Sequence, residues 1–411
     1  MAYELKGIGY MRRKLAAKRT RVLTRYEYYE MKHLAADFDI STPPSLKTWR
    51  SVLGWCGRAV DSLADRLQFC EFRGDDFDLN TIYAMNNPDT LFDSAVLSAL
   101  ISSCCFICIS PDEDGFPRMQ VIDGGNATGC IDPITGLLDE GYAVLDRTDT
   151  GAPKLEAYFT SDRTEYIAAG KPVRVDYHPV GRPLLVPIIY RPDAVRPFGH
   201  SRISRACMSL VGSAMRTVKR SEVSAEYYSF PQKWVVGLSD DHEALNAWKA
   251  SMSSLLAFGK DGDGDSPTVG QFQQQSMAPH TEQLRMFAAL FAGETGLTLD
   301  DLGFPSDNPS SSEAIKAAHE TMRLTARKAQ RTFGSGFLNA GYLAACLRDN
   351  YQYRRDQLYL TKPIWEPVFE PDAATLSQVG DAALKINQAI PGYFDKRTLR
   401  DISGIQPGDN A

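Results

Sequence analysis

Closely spaced carboxylates are the first residues of this chain that could perform chemistry. Residues Asp261–Asp265 alternate aspartate with glycine, as at the start of a calcium-binding loop whose carboxylate oxygens ligate the metal. Ser266 occupies the position at which such a loop needs glycine, and Phe272 occupies the position of its bidentate glutamate. The segment is therefore predicted to be an acidic loop without a metal site.

The cysteines offer a second candidate chemistry. Cys105 and Cys108 have the CxxC spacing of redox and zinc sites, but no second cysteine pair or histidine cluster follows at zinc-finger spacing. Most of the 8 cysteines lie in apolar segments, which predicts small buried side chains in a reducing compartment. The sequence also lacks a phosphate-binding loop, a Gly-x-Ser-x-Gly elbow and a His-Glu-x-x-His pair. We therefore predict no ATPase, no other enzyme and no cofactor.

Length and charge limit the remaining classes of protein. A chain of 411 residues is too long for one compact core, so two or more domains are expected. The formal net charge of −6 gives no global signature of nucleic-acid affinity, so any contact with DNA should be weak. The longest apolar stretch, Ala95–Ile109, is too short to span a bilayer and is predicted to be buried core. No membrane association is expected.

The first 200 residues divide into a helical part and a β-rich part. Helix is predicted for residues 11–36, for the amphipathic stretch Ser45–Phe69, and for Asn87–Ser110, which becomes strand-like towards its end. From Arg118 to Ile189, short segments separated by Gly, Pro, Asp and Thr predict an antiparallel sheet with hairpins. They are Gln120–Ile122, Gly141–Leu145, Lys154–Phe159, Thr164–Ile167 and Val173–Tyr177. Residues Val180–Ile189 are predicted to be an extended segment that leaves the sheet.

The first predicted helix is strongly basic at its start. Seven cations fall within fourteen residues, namely Arg12, Arg13, Lys14, Lys18, Arg19, Arg21 and Arg25. This pattern favours equally an arm that docks on an acidic partner or DNA and a solvated helix face.

Two further helices flank a small mixed segment. The first is predicted at Ser201–Tyr227, and the spacing of Arg205, Arg216 and Arg220 places them on one face of it. The second is predicted at Thr281–Thr295. The segment between them combines strands at Trp234–Val236 and Thr268–Phe272 with a helix at His242–Phe258. It is too small to hold its own core, and Trp234 and Trp248 are its expected apolar anchors.

An acidic loop then leads into a long helix with a basic stripe. Gly303, Pro305 and Pro309 are expected to deny regular structure to Asp300–Ser311, and Asp300, Asp301 and Asp307 to keep it solvated and repel phosphate. The helix should begin near Ser311 or Ser312. Lys316, Arg323, Arg327 and Arg331 follow at spacings of seven, four and four, which keeps them close to one face. That stripe could contact a neighbouring subunit or DNA, or could lie in solvent. Two short helical patterns around Pro391-Gly392-Tyr393 end the chain.

Motifs in this order resemble the portal proteins of tailed phages, specifically the SPP1-type portals of siphophages. The resemblance runs from about Tyr26 to Gly404. Its motifs are Arg25–Leu34, Val60–Leu67, Val186–Pro192 followed by Phe198–Ser201, Phe230–Lys233, Thr268–Phe272 and Asn308–Lys316. The chain departs from the family in its short length, its small C-terminal part and its basic N-terminal arm.

The resemblance implies an α+β portal fold with four named regions. The wing would comprise residues 1–200 and 312–368, the stem 201–228 and 278–299, the clip 229–277, and the small crown 369–411. Residues 300–311 would form the tunnel loop, with Asp300, Asp301, Gly303, Phe304, Pro305, Asp307 and Asn308 at the channel.

The implied function is a homo-oligomeric ring, typically dodecameric, at one capsid vertex of the virion. It would form the channel for packaging and ejection of double-stranded DNA. It would dock the large terminase subunit, the head-completion adaptor and the major capsid protein, after assembly in the host cytoplasm. Two alternatives stay open: another ring-forming head–tail connector, and a metal-dependent nuclease using Asp261, Asp263 or His242.

Overall fold

The computed structural model describes residues 4–36, 47–229, 233–236, 268–271, 276–305, 317–369 and 373–403. The helices in these ranges are α1 (Ile8–Tyr29), α2 (Trp55–Ala64), α3 (Leu79–Ala84), α4 (Pro88–Ser102), α5 (Arg205–Ser229), α6 (Ala278–Thr295), α7 (Glu320–Arg348), α8 (Ala373–Ala389) and α9 (Lys396–Ser403). The strands are β1 (Phe69–Arg73), β2 (Cys104–Pro111), β3 (Pro117–Ile122), β4 (Ala127–Ile131), β5 (Leu138–Arg147), β6 (Pro153–Phe159), β7 (Arg163–Ala168), β8 (Lys171–Tyr177), β9 (Leu185–Ile189), β10 (Lys233–Val236), β11 (Thr268–Gln271) and β12 (Lys362–Trp365). The α+β class is confirmed.

The main core lies around a three-stranded antiparallel sheet of order β3-β2-β9. β2 is its central strand, and Cys104–Ile109 is buried throughout, which explains its continuous apolar sequence. α4 begins with Pro88 in its first turn, packs against this sheet and ends at Ser102. The next residue, Ser103, has a φ of 83° and turns the chain into β2. Pro187 is tolerated because β9 is an edge strand that pairs with β2 alone.

The remaining strands form a five-stranded antiparallel sheet, β4-β5-β6-β7-β8, and two small pairs, β1-β12 and β10-β11. α1 lies on the five-stranded sheet, where Met11 and Leu15 pack with Tyr142, Val144 and Tyr158. The sheet is a meander in which every strand pairs with its sequence neighbour, so local hairpins determine the register.

Most predicted elements are confirmed, with several corrections. The first predicted helix ends at Tyr29 rather than at residue 36, and the short elements β1, α3 and β12 were not predicted. All five predicted β segments lie in strands, but β4 was missed because Ala127–Ile131 is small, mixed and lacks a β-branched run. Within the predicted helix Ser45–Phe69, the described residues are helical only over Trp55–Ala64, and Phe69 begins a strand. Val180–Ile189 is extended and leaves the five-stranded sheet, but its last residues, Leu185–Ile189, join the other sheet as β9, which pairs along β2. The predicted helix His242–Phe258 and the acidic segment Asp261–Asp265 lie outside the described residues.

Three of the seven cations of α1 contact other parts of the chain. Arg12 donates two hydrogen bonds, of 2.9 and 2.7 Å, to the carboxylate of Glu156, which also accepts from the hydroxyl of Tyr142. The ammonium of Lys14 donates to the carbonyl of Gly129 at 2.6 Å, and that of Lys18 lies 5.1 Å from a phenylalanine ring centre in β2. A wholly solvated face is therefore wrong for Arg12, Lys14 and Lys18.

The long helix α7 packs closely because it is rich in small residues. A Cβ added to Gly334 would lie 2.6 Å from Pro363 of β12, and one added to Gly336 would lie 2.8 Å from Ile188 of β9. The helix therefore approaches two sheets at distances that only glycine permits, which locks it between them.

The loop between β9 and α5 packs closely around Gly199. Its φ is +73°, and an added Cβ would meet the carbonyl oxygen of Tyr190. Gly170 has a similar φ of +78° but open space around it. We expect Gly170→Ala to cost about 1–2 kcal/mol from backbone strain alone and Gly199→Ala clearly more. Urea unfolding of both variants measures the difference, and equal losses would contradict this packing.

Glu156 gives the stability a defined pH dependence. Burial acts to raise the pKa of Glu156, but the hydrogen bonds from Arg12 and Tyr142 outweigh it and hold that pKa below its usual range. A lowered carboxyl pKa stabilises the fold above the ordinary value of about 4.3, and that contribution is lost as the pH falls through the folded value. Glu156→Gln should therefore be less stable by about 1–3 kcal/mol at pH 7, with the gap narrowing below about pH 4. Unfolding curves at several pH values test this, and a constant gap would contradict it.

Candidate functional site

Two long helices, α5 and α6, pack side by side and run antiparallel. Three contacts follow their length: Ser204 to Glu294 at 2.8 Å, Thr217 to Gln283 at 3.0 Å, and Ser224 to His280 at 3.4 Å. With 25 and 18 residues, they extend about 38 and 27 Å at 1.5 Å per residue. These contacts hold the two helices together along their length.

A buried arginine just before α5 fixes the base of this pair. Arg202 is 8% exposed, and its guanidinium donates to the carbonyl of Ala59 in α2 and to that of Thr295, the last residue of α6. Its Nη2 also lies 3.9 Å from the sulfur of Met322 in α7. The carbonyl at a helix C-terminus carries partial negative charge, so a guanidinium satisfies it well. Three helices therefore meet at one side chain just before the start of a fourth, α5, and no sequence motif had singled that side chain out.

The predicted basic face of α5 is only partly visible in the structure. Arg205 and Arg220 are exposed, and Arg216 is half-buried with its guanidinium 2.9 Å from the hydroxyl of Ser213. These arginines lie along the outer surface of the helix pair, and a role in contact with a partner remains a prediction.

The two strands β10 and β11 pair antiparallel at the far end of the helix pair. Trp234 faces Gly270 across them, and a Cβ on Gly270 would lie 2.2 Å from the indole. Trp234 thus covers a glycine while its side chain stays 38% exposed. Its role as an apolar anchor stays a prediction, and Trp248 lies outside the described residues.

The acidic loop after α6 begins as an ordered turn. Asp300–Leu302 forms a 3₁₀ turn, and the carboxylate of Asp301 accepts hydrogen bonds of 2.9 Å from both the backbone N–H and the hydroxyl of Thr298. Leu302 is buried, and Phe304 packs against the main core. The expectation that this loop has no regular structure is therefore wrong for its first residues. Asp307 and Asn308 lie outside the described residues.

The basic stripe of α7 is split between paired and unpaired cations. Arg323 forms a two-pronged ion pair with Glu320 one turn earlier, with its Nε 2.7 Å from a carboxylate oxygen. Arg327 and Arg331 are exposed, and neither forms an ion pair within the described part of the chain. Lys316 lies outside it. The stripe's contact with a neighbouring subunit or DNA remains a prediction.

Cys105 and Cys108, the CxxC pair, lie in the buried strand β2, where side chains three residues apart project from opposite faces. Burial raises the pKa of both thiols. A thiol with a raised pKa is a poor nucleophile and a poor metal ligand at neutral pH. Across the described residues, no three His, Cys, Asp or Glu side chains cluster as a metal site would require. No described helix combines the length and apolar character of a bilayer span.

Comparison with known proteins gives a consistent family. The family model described as "Phage portal protein, SPP1 Gp6-like" matches residues 8–386. The portal protein of Mycobacterium phage D29 is 25% identical over 400 residues, covering 92% of this chain and 81% of that protein. The portal protein of Mycobacterium phage L5 is 24% identical over 396 residues, covering 91% and 80%.

Solved structures give a weaker likeness. A chain in the virion of a native gene transfer agent particle is 14% identical, covers 86% of this chain and 90% of its own, and has a TM-score of 0.45. A chain in the neck of the native particle, computed with C12 symmetry, is 15% identical with the same coverage and TM-score.

Arg202 should be essential for holding the helix pair on the rest of the fold. We expect Arg202→Ala to destabilise the protein by on the order of 3 kcal/mol, because two buried carbonyls lose a donor and the stem of the side chain leaves a void. Arg202→Lys keeps the charge but cannot bridge both carbonyls, so an intermediate loss is expected. The nearby exposed Arg205→Ala should stay within about 0.5 kcal/mol of the parent. Denaturant unfolding measures all three, and an Arg202→Ala loss as small as that of Arg205→Ala would contradict the role.

Proposed function

Because this chain belongs to the SPP1 Gp6-like family of phage portal proteins, we propose that it assembles into a homo-oligomeric, dodecameric ring at one capsid vertex. The ring forms the channel through which double-stranded DNA enters and leaves the head. Its role is structural, as a component of the virion, and no catalytic step is assigned to it.

One observation supports the assembly: α6 carries large apolar side chains on its outer face that the described part of the chain leaves exposed. Met286 and Leu290 lie one turn apart on this helix and are 50% and 54% exposed, while Phe291 and Ala288 on its inner face are buried against the core. A helix that is apolar on both faces is normally buried on both. A neighbouring copy of the same helix pair would cover this second face.

The proposed regions of the fold have the boundaries expected from the sequence. We propose residues 1–200 with 312–368 as the wing, 201–228 with 278–299 as the stem, 229–277 as the clip and 369–411 as the crown. The helix pair α5 and α6 supports the stem assignment because the two long helices are antiparallel and are joined by hydrogen bonds along their length. The small pair β10-β11 supports the clip because it cannot fold without neighbours.

The proposed ring has a loop that lines its channel and surfaces that dock other phage proteins. Residues 300–311 form the tunnel loop, and its carboxylates, repeated around the ring, discourage static adhesion of DNA to the narrowest level. The large terminase subunit, then a head-completion adaptor, dock at the clip end, and the major capsid protein surrounds the wing. Assembly takes place in the host cytoplasm.

Ring assembly can be tested on the exposed face of α6. We expect Met286→Asp with Leu290→Asp to shift the purified protein from rings to monomers, because carboxylates would replace apolar side chains in the contact between subunits. Val173→Asp, which changes an equally exposed aliphatic side chain on β8, is the matched control and should leave rings intact. Light scattering after size exclusion and negative-stain microscopy give the readout. A parent protein that stays monomeric at every salt concentration would overturn the proposed function.

The tunnel loop can be tested by charge reversal. Since Asp301 holds the turn through Thr298, Asp300→Lys with Asp307→Lys changes the charge of the loop without breaking that turn. We expect rings to form but packaging to slow, because lysines attract the passing phosphates, and added salt should relieve the defect. Asp300→Asn with Asp307→Asn is the control for lost charge alone. Normal packaging by the lysine variant would refute the channel assignment.

A further inference from the structure

A large cleft opens between the long helix and the β-rich part of the chain. Its volume is about 980 Å³. One wall is α7, the other is formed by the turn between β4 and β5 together with the loop after β9, and the floor carries apolar residues such as Ile131, Pro187 and Ile189. Nothing in the described part of this chain fills it.

The rim of the cleft carries unbalanced positive charge. Arg191, Lys328 and Arg331 line it, and none of the three forms an ion pair within the described residues. The two carboxylates that also line it are already engaged, because Asp132 pairs with Arg182 at 3.1 Å and Asp193 with His200 at 2.6 Å. The cleft therefore presents cations without counter-charges beside an apolar floor.

The two loops that flank the cleft end in exposed aliphatic side chains. Ile134, at the tip of the β4–β5 turn, is 92% exposed, and Val195, in the loop after β9, is 86% exposed. Both loops are ordered by their own aspartates: Asp132 accepts from the N–H of Ile134 at 3.0 Å and Asp193 from that of Val195 at 2.8 Å. Exposed aliphatic side chains on ordered loops can pack against another protein surface. They would gain no favourable contact from a phosphate backbone.

A complementary acidic patch lies elsewhere on the same chain. Asp65, just after α2, and Asp89 and Asp93 of α4 are exposed, and none pairs with a cation among the described residues. Partial burial and the neighbouring charges of Asp89 and Asp65 raise the pKa of Asp93 above its usual range. A cationic partner would relieve the repulsion among these carboxylates and stabilise their charged forms.

The cleft and the acidic patch lie on opposite sides of α7. Lys328, Arg331 and Asn339 face the cleft, whereas Phe337 packs against Phe92 at 4.7 Å, beside the acidic residues of α4. Positions two residues apart on a helix differ by about 200° in direction, so residues 337 and 339 face opposite ways. A head-to-tail ring contact needs two different, complementary surfaces on opposite sides of one subunit.

We propose that the cleft is a docking site for a second copy of this chain. The second copy places its acidic patch of Asp65, Asp89 and Asp93 against the cations of the cleft, Arg191, Lys328 and Arg331. Its surface also packs against Ile134 and Val195. The inference rests on the proposed ring and names the contact between neighbouring subunits in its wing. Electrostatic complementarity fixes the register of the contact, and the apolar floor and tips supply its buried area.

Charge reversal tests this pairing directly. Lys328→Glu with Arg331→Glu makes the cleft acidic, and Asp89→Lys with Asp93→Lys makes the patch basic. Each variant alone should lose ring assembly at moderate salt, with the dissociation constant raised by about tenfold or more. Mixed in equal amounts, the two variants should regain rings of alternating subunits, since each cleft then meets a complementary patch. A single chain with all four changes should also assemble.

Matched controls separate the pairing from general effects. Arg13→Glu with Lys171→Glu makes the same change in net charge at exposed positions away from the cleft and should assemble like the parent. Circular dichroism and thermal unfolding confirm that each variant folds. Two outcomes would overturn the pairing but not the proposed ring of the parent protein. One is normal rings from the cleft variant, and the other is a loss of rings that neither mixing nor the combined chain restores. A monomeric parent protein would instead overturn the ring and the pairing together.

Discussion

The buried guanidinium of Arg202 is the interaction on which the arrangement of this protein depends. It connects α2 through Ala59, the end of α6 through Thr295, and α7 through Met322, at the residue from which the chain turns into α5. A cation that is 8% exposed is stable only where its donors are satisfied. Carbonyl oxygens accept hydrogen bonds from these donors without adding a formal charge. The guanidinium therefore joins the helix pair α5 and α6 to the core.

Small residues have a second organising role, because they bring the long helix close to its neighbours. Gly334 and Gly336 face two different sheets, and the intervening helix backbone is shared by both contacts. The face left over carries Lys328, Arg331 and Asn339 towards the cleft. The helix is thus buried on the sides that hold the subunit together and charged on the side that is open, which leaves that side free for the proposed contact between subunits.

The distribution of charge in the chain suits the weak contact with DNA that the proposed channel requires. The seven cations of α1 gave the strongest basic signal in the sequence, yet Arg12, Lys14 and Lys18 are bound to the chain's own carboxylate, carbonyl and aromatic groups. A protein that guides a moving polyanion gains nothing from tight phosphate binding, since each stable contact resists sliding. Membership of the portal family is consistent with a basic helix whose cations are partly engaged within the chain.

The sequence by itself determined the elements and the family. The alternation in β5 to β8, the continuous apolar run of β2 and the apolar stripes of α5 and α7 are local periodicities, which directly reflect which face of an element is buried. The ordered motifs from Arg25 to Lys316 gave the family, because a series of weak local signals in a fixed order is specific as a whole.

Only the tertiary structure decided which of these residues meet. The pairing of β9 with β2 joins segments about eighty residues apart, and proline in the strand obscured it. Arg202 looked no different from Arg205 in the sequence, since burial depends on packing that no local pattern encodes. The cleft likewise unites α7 with loops more than one hundred residues earlier in the chain. Long-range contacts of this kind depend on the shape of the whole core, and the sequence pattern records only the side of each element that faces it.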